Sequence, residues 1–320
     1  MRLITHYYLS ITLAYSIALA AWPIFKRKGR IGAIGSWIAA GLVMLCPALI
    51  PADQVMGRAL VAVVCGDPFF KMIDCSRRCR MIEGVRLGAY VRFLIPFPAL
   101  LVVFGERNRV PGARVSVGFE IARIAGGASV ALLCAVAVIA GKIDVRSSFA
   151  LDHAVKLIVF VGLIESVSQV LHGLERLAGY GTTPIIRFCF VSRTPAEFWQ
   201  RYNTRVHLWF DKNVFTPWGG RRAPVAGVIA VFFVSAVFHE LAFGLATSRL
   251  DGYQFAFFML QAPAVLISPS LERFARRTGV VGDAAVRITT VFWMYATSIL
   301  FFHGVNRIFP FVYASDRSSP

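Results

Sequence analysis

Apolar segments of roughly 20 residues recur along the whole chain, and that length is what a helix needs to cross a bilayer. Of the 320 residues, 57% are hydrophobic and only 16% are charged, whereas soluble domains carry about a quarter. The sequence therefore predicts an all-α polytopic membrane protein with about eight to nine transmembrane helices and interfacial helices. We expect one membrane-embedded domain over residues 1–320. The candidate spans are 7–25, 31–50, 87–104, 117–139, 154–174, 224–246, 253–269 and 288–309.

Two further apolar stretches, 59–70 and 183–191, are too short to span alone. They are expected to be re-entrant or to lie flat in the membrane interface.

The net charge is +17, and the basic residues are clustered between the apolar segments. The positive-inside rule predicts a multi-pass integral membrane protein whose basic loops, including 187–222, are cytoplasmic. Residues 107–114 are also basic, yet simple alternation of loops across the membrane would place them on the outside. Either 87–104 does not cross fully, or one boundary is misplaced. Because the basic residues flank spans, we expect no nucleic-acid partner. The expected partners are membrane lipids or an anionic soluble substrate.

His239 and Glu240 lie side by side in an otherwise apolar segment, 223–247. Ionisable groups at such a depth are costly and usually face an internal cavity or a partner. On a helix, Glu240 points about 100° from His239. We therefore expect Glu240 to pair with another element, such as an arginine or a polar group of another span. Ser235, one turn earlier, is expected to share the face of His239.

The segment upstream of this span predicts an amphipathic helix at the membrane surface. Thr194 is a candidate N-cap, with Pro195 at the first helical position and Glu197 three residues after the cap. The helix is expected to continue to about residue 215 and to stop near Pro217. Asn203 and His207 are four residues apart, so they are predicted to share its apolar face.

The combination of these patterns resembles the membrane-bound O-acyltransferase superfamily. The resemblance is to its lipid-esterifying branch of wax synthases, diacylglycerol acyltransferases and sterol acyltransferases. Its motif-level core covers residues 192–245, and the other helices agree only in hydropathy. Tyr202 stands where those branches usually have tryptophan, and the chain is shorter than the eukaryotic enzymes. The matching pattern is Phe198-Trp199-x-x-Tyr202-Asn203-x-x-Val206-His207-x-Trp209, then Pro217, then Phe233-x-Ser235-Ala236-x-Phe238-His239-Glu240.

The resemblance implies transfer of a fatty acyl group from acyl-CoA to the hydroxyl of a lipid or long-chain alcohol, giving a wax ester or neutral lipid. Acyl-CoA is then a co-substrate, and neither a bound cofactor nor a metal is expected. His239 is implied as the general base, and Asn203 as the catalytic residue that positions the acyl donor or its carbonyl. The expected substrate-binding residues are Trp199, Tyr202, His207, Ser235 and Glu240.

Other functions stay open on the sequence. A protein of the same fold that acylates a sterol-like compound, a secondary metabolite or a saccharide is the first alternative. A proton-coupled transporter using Glu165, His239 and Glu240 is the second, and a catalytically silent scaffold is the third. Glu165, Gln169 and His172 form a polar stripe that either lines a chamber or bonds to neighbouring helices. The acceptor, the acyl chain length and the oligomeric state, including a homo-oligomer, are not fixed by the sequence.

Overall fold

The computed structural model describes residues 2–81, 85–96, 100, 102–104, 115–140, 143–145, 147–310 and 312–313. In this part of the chain the regular secondary structure is entirely helical, which confirms the predicted all-α class. Short 3₁₀ segments cover Cys46–Leu49, Cys189–Val191 and Gly220–Arg222, and a π-helical segment covers Asp211–Phe215. The α-helices are α1 (Arg2–Ala20), α2 (Trp22–Phe25), α3 (Gly29–Leu45), α4 (Val55–Met81), α5 (Leu87–Leu94), α6 (Val117–Ile139), α7 (Phe149–Leu177), α8 (Pro195–Tyr202), α9 (Thr204–Phe210), α10 (Pro224–Thr247) and α11 (Tyr253–Ile308).

Six helical stretches among the described residues are long and apolar enough to cross a bilayer. The number of crossings expected from the sequence, eight to nine, stays a prediction. The segment α11 contains a break at Gly279, where φ is +65° and the backbone is not helical. It therefore includes both predicted spans 253–269 and 288–309, and the basic stretch between them is helical on either side of Gly279 rather than a loop. The six stretches are Leu3–Phe25, Gly29–Leu49, Val117–Ile139, Phe149–Leu177, Pro224–Thr247 and Tyr253–Ile308.

Two predicted boundaries are wrong. The expected span 87–104 is the eight-residue helix α5, which ends at Leu94. Ile95 is extended (φ −68°, ψ 119°) because a residue that precedes proline, here Pro96, is disfavoured in the α conformation. The short stretch 59–70 is instead part of the 27-residue helix α4. Lys71 interrupts its apolar pattern but pairs with Asp67 at 2.8 Å within the same helix.

The chain divides into two compact units, and the first comprises Met1–Glu106 and Leu208–Phe255. Its core lies where α1, α3 and α10 pack against α4. An aromatic cluster of Phe69, Phe70, Trp209 and Phe238 joins α4 to the later helices of this unit. The side chain of Trp209 is fully buried, and its indole N–H donates to the Phe70 carbonyl at 2.8 Å. Its one polar atom therefore has a hydrogen-bond partner.

The second unit comprises Arg107–His207 and Ala256–Pro320. In it α6 packs along α7, with glycine at two close contacts. A Cβ at Gly127 would lie 2.9 Å from the Ser166 carbonyl oxygen, and one at Gly173 would lie 2.6 Å from the Ile124 side chain. The two arms of α11 are tied by the amide of Gln261, which donates to Thr297 at 3.1 Å. The expectation of a single domain over 1–320 stays a prediction.

Candidate active site

His239 lies in α10, one helical turn after the buried Ser235. Its Nδ1 is 2.8 Å from the Ser235 carbonyl oxygen and 3.4 Å from the Ser235 Oγ. Because a carbonyl oxygen only accepts hydrogen bonds, Nδ1 carries the proton and donates it to this oxygen. In the neutral ring the lone pair is then on Nε2. The predicted common face of Ser235 and His239 is confirmed, and Ser235 sets the tautomer of the imidazole through its main chain.

Aromatic side chains of α4 hold the part of α10 that carries His239. The ring centroid of Phe238 is 5.2 Å from that of Phe69 and 5.1 Å from that of Phe70. The imidazole itself meets Phe238 edge-on at 5.4 Å. These contacts fix the register of α10 against α4, and they place the histidine beside an apolar wall.

Glu240 points away from His239 and caps the start of α11. One carboxylate oxygen accepts from the Gly252 amide at 2.8 Å, and the other accepts from the Phe255 amide at 3.0 Å. The first amides of a helix lack intrahelical partners and carry the positive end of the helix dipole, so a carboxylate is well suited to them. The expected partner on another element exists, but it is a helix N-terminus rather than an arginine.

The π-helical segment Asp211–Phe215 is anchored to α4 by a buried amide. The Asn213 amide nitrogen donates to Asp74 at 2.8 Å and to the Trp209 carbonyl at 3.1 Å. The backbone amide of Phe104 donates to the other oxygen of Asp74. Asp74 therefore ties three segments of the first unit together, which the sequence did not indicate.

The N-terminus of the amphipathic segment is as predicted. The Thr194 hydroxyl accepts from the Glu197 amide at 3.3 Å, and Pro195 occupies the first helical position. The Arg193 amide donates to the Glu197 carboxylate at 2.7 Å. The predicted helix to residue 215, however, is wrong, because α8 ends at Tyr202 and α9 starts at Thr204.

Asn203 is the break between these two helices. Its backbone is not helical (φ −146°, ψ 87°), and its Oδ1 accepts from the Val206 amide at 3.1 Å. Asparagine competes for backbone groups in this way and is among the preferred residues at a helix N-cap. Because Oδ1 is used by this cap, Nδ2 is the side-chain atom that can donate to a substrate.

The predicted common face of Asn203 and His207 is therefore wrong, since Asn203 is outside the helix that carries His207. The His207 amide donates to the Asn203 carbonyl at 2.8 Å, and the His207 side chain is exposed rather than directed to an apolar face.

The two aromatic residues expected at the substrate lie at the end of α8. Trp199 packs against Phe257 and Phe258 of α11, with ring centroids 6.2 and 5.8 Å apart. Tyr202 meets the Trp199 ring edge-on at 5.5 Å. Burial raises the pKa of Tyr202, because a phenolate loses more hydration than a phenol, so the hydroxyl stays protonated.

The polar stripe on α7 bonds to neighbouring segments. Gln169 donates to Glu165 at 3.0 Å and accepts from Arg123 of α6 at 3.0 Å. The same face continues to Glu175, which binds Arg205 of α9. Neither Glu175 nor Arg205 is among the site residues expected from the sequence. Extending the stripe by one more turn of α7 would have found Glu175, whereas nothing local marks Arg205.

The structure groups the predicted site residues in two sets, one in each unit. Ser235, His239 and Glu240 lie in the first unit, and Trp199, Tyr202, Asn203 and His207 lie in the second. The first set supplies an imidazole whose neutral form has its lone pair on Nε2. The second set supplies an amide donor at a helix break. A polytopic α-helical membrane protein with these groups has side chains suited to acyl transfer to a hydroxyl.

Residues 150–304 match the model of the MBOAT, membrane-bound O-acyltransferase family. This match confirms the resemblance seen in the sequence motif. Together with the six apolar helical stretches, it indicates an integral membrane protein.

Curated relatives include diacylglycerol and sterol acyltransferases. Diacylglycerol O-acyltransferase 1C of Glycine max is 30% identical over 124 residues, which are 38% of this chain and 23% of the relative. The probable sterol O-acyltransferase 2 of Schizosaccharomyces pombe is 32% identical over 89 residues, 28% of this chain and 18% of the relative. Diacylglycerol O-acyltransferase 1 of Bos taurus is 28% identical over 153 residues, 48% of this chain and 30% of the relative. The matches thus span between 18% and 30% of the length of these relatives.

Proposed function

We propose that this protein transfers a fatty acyl group from acyl-CoA to the hydroxyl of a lipid or long-chain alcohol within the membrane. The observation that carries the proposal is the hydrogen bond of 2.8 Å from His239 Nδ1 to the Ser235 carbonyl. It leaves the basic lone pair on Nε2, and an alcohol needs such a base to become a competent nucleophile.

In the proposed reaction, His239 Nε2 takes the hydroxyl proton as the alcohol oxygen attacks the thioester carbonyl carbon. The carbon–oxygen bond of the ester forms, the carbon–sulfur bond breaks, and the proton passes from the imidazolium to the departing CoA thiolate. Nδ1 keeps its own proton and its bond to the Ser235 carbonyl throughout. No external oxidant or reductant is needed.

Asn203 has a separate role in this proposal. Its Oδ1 is held by the Val206 amide, so its Nδ2 donates to the thioester oxygen, on which negative charge develops during the attack. Trp199 and Tyr202 provide an aromatic surface for an apolar substrate, and His207 and Glu240 remain proposed substrate contacts on the family resemblance alone.

The names of the relatives support a lipid acceptor. They are two diacylglycerol acyltransferases and a probable sterol acyltransferase, so diacylglycerol and a sterol are the first acceptors to test. A long-chain alcohol, which would give a wax ester, stays in the proposal. The basic loops, including 187–222, are proposed to face the cytoplasm, where arginines other than Arg205, which pairs with Glu175, bind the phosphates of CoA.

The experiment uses the purified full chain in lipid nanodiscs with radiolabelled acyl-CoA. Diacylglycerol, a sterol and a long-chain alcohol are added separately, and both free CoA and the labelled ester are measured. The proposal expects CoA release that depends on one of these acceptors, with ester formed in equal amount. CoA release without ester would indicate thioester hydrolysis and would contradict the proposal. So would uptake of label without CoA release after parallel reconstitution into liposomes, which would indicate transport.

A further inference from the structure

A short strap, residues 182–188, lies beside the helix break at Asn203 and binds its main chain on both sides. The Thr204 amide donates to the Ile185 carbonyl at 2.9 Å, just after the break. The Arg187 amide donates to the Arg201 carbonyl at 2.9 Å, just before it. These bonds satisfy backbone groups that the interruption of the helix leaves without intrahelical partners.

The strap is in turn fixed to α7 by buried polar side chains. Ser168 accepts from the Ile186 amide at 2.8 Å, and Glu165 accepts from the Phe188 amide at 3.0 Å. Ser168 and Glu165 are 2% and 7% exposed. Ser168 and Glu165 of α7 therefore hold the strap in place.

A buried ion pair connects α7 directly to α9. The Arg205 guanidinium donates to both oxygens of Glu175, with Nη1 at 2.7 Å from Oε1 and Nη2 bonded to Oε2. Nη2 also donates to the Thr183 carbonyl at 3.2 Å, and the Thr182 hydroxyl donates to Glu175 at 2.6 Å. Bidentate pairs of this kind fix geometry because both groups are planar. Arg205 is two residues from Asn203, so the pair fixes the first turn of α9.

These contacts explain why the break exists at all. The apolar pattern of residues 195–215 is that of one continuous amphipathic helix, and the local cap made by Asn203 and the tertiary bonds of the strap and of Arg205 together oppose that continuity. Asn203 Oδ1 caps α9, so the direction of Nδ2 follows the backbone conformation at 203. Any contact that fixes the backbone at residue 203 therefore also fixes the direction of the Asn203 Nδ2 donor.

We propose that Glu175 and Arg205, together with the 182–188 strap, are positioning elements for Asn203. They act by holding the helix break that aims its Nδ2. This inference rests on the proposed acyltransferase function for its catalytic consequence, but the structural part is measurable without any activity.

The first test is hydrogen exchange on the full chain in nanodiscs, with E175Q and R205K as variants. E175Q keeps the size of the side chain and R205K keeps its charge, and both remove the bidentate pair. Exchange in residues 203–206 is expected to become about tenfold faster or more. The exposed pair of Glu272 and Arg276 on α11 provides the matched controls E272Q and R276K, which leave this exchange unchanged. Unchanged exchange in both E175Q and R205K would overturn the proposal.

The second test separates positioning from general stability by combining E175Q with N203A. E175Q alone is expected to lower kcat by about tenfold to a hundredfold with little change in KM, because the donor is misplaced by a fraction of an ångström or more. In the N203A background E175Q is expected to lower kcat no further. Equal losses in both backgrounds would overturn the positioning role. If the wild-type chain transfers no acyl group at all, the proposed function fails, and the exchange measurement still decides whether Glu175 and Arg205 hold the break.

Discussion

Removal of the Glu240 carboxylate measures how much one side chain of α10 contributes to the start of α11. Glu240 accepts from the Gly252 and Phe255 amides at 2.8 and 3.0 Å. E240A leaves both amides without these partners and also removes a negative charge from the helix N-terminus. A cap contributes about 1 kcal/mol and the dipole about 0.3–1 kcal/mol. With the second bond, the expected loss is about 2–3 kcal/mol in the free energy of unfolding.

E240Q retains one oxygen that accepts a bond and loses the charge and the second acceptor. Its expected loss is about half that of E240A, roughly 1–1.5 kcal/mol. The measurement is denaturant-induced unfolding in detergent micelles, followed by tryptophan fluorescence, with the midpoint and slope compared between variants. E272Q is the matched control, since its exposed pair with Arg276 contributes less than about 1 kcal/mol. An unfolding free energy for E240A within about 0.5 kcal/mol of wild type would refute the capping role.

Three further predictions use the same two assays of unfolding and acyl transfer. N203D keeps the oxygen that caps α9 and loses the Nδ2 donor, so it should retain unfolding stability within about 0.5 kcal/mol yet lose about 10²–10³ in kcat; equal activity of N203D and wild type would contradict the donor role. W209F should lose about 1 kcal/mol of stability with the indole hydrogen bond to α4, and W209A about 3–5 kcal/mol with the packing; equal stability of W209F and W209A would contradict the packing. G227A should cost about 1–3 kcal/mol because its Cβ would lie 2.6 Å from the Phe215 ring, whereas G41A, with nothing within 4 Å, should not destabilise; similar unfolding of G227A and G41A would contradict this contact.

The fold class followed from the sequence because bilayer-length apolar segments with few charges favour helices, in which each segment bonds its own backbone polar groups. The errors have specific causes. The span predicted at 87–104 depended on hydropathy, which does not register that Pro96 excludes Ile95 from a helix. The stretch 59–70 seemed short because Lys71 counts as a break in hydropathy, although Asp67 compensates its charge within α4.

The site was predictable where a local pattern determines the geometry. Ser235 and His239 are four residues apart on one helix, so their contact follows from spacing. The N-cap at Thr194 follows from residue type and from Pro195 in the next position. Both features are confirmed because no other element has to intervene.

The site was not predictable where tertiary bonds override a pattern. The apolar periodicity of 195–215 favours one helix, yet bonds from the strap and the Glu175–Arg205 pair stabilise a break at Asn203. The partner of Glu240 is similarly invisible in the sequence, because a backbone amide has no residue-type signature. In both cases the partner group lies on another segment, and residue spacing along one helix does not predict contacts with other segments.

The proposed base, His239, is tested most directly by acyl transfer with the H239A variant. The full chain in nanodiscs is assayed with labelled acyl-CoA and its best acceptor, and insertion and unfolding are checked in parallel. H6A on α1 serves as the histidine control. H239A is expected to fold like wild type and to lose about 10²–10⁴ in kcat, with H6A unaffected. A folded H239A protein with full activity would show that the general base is not at this position.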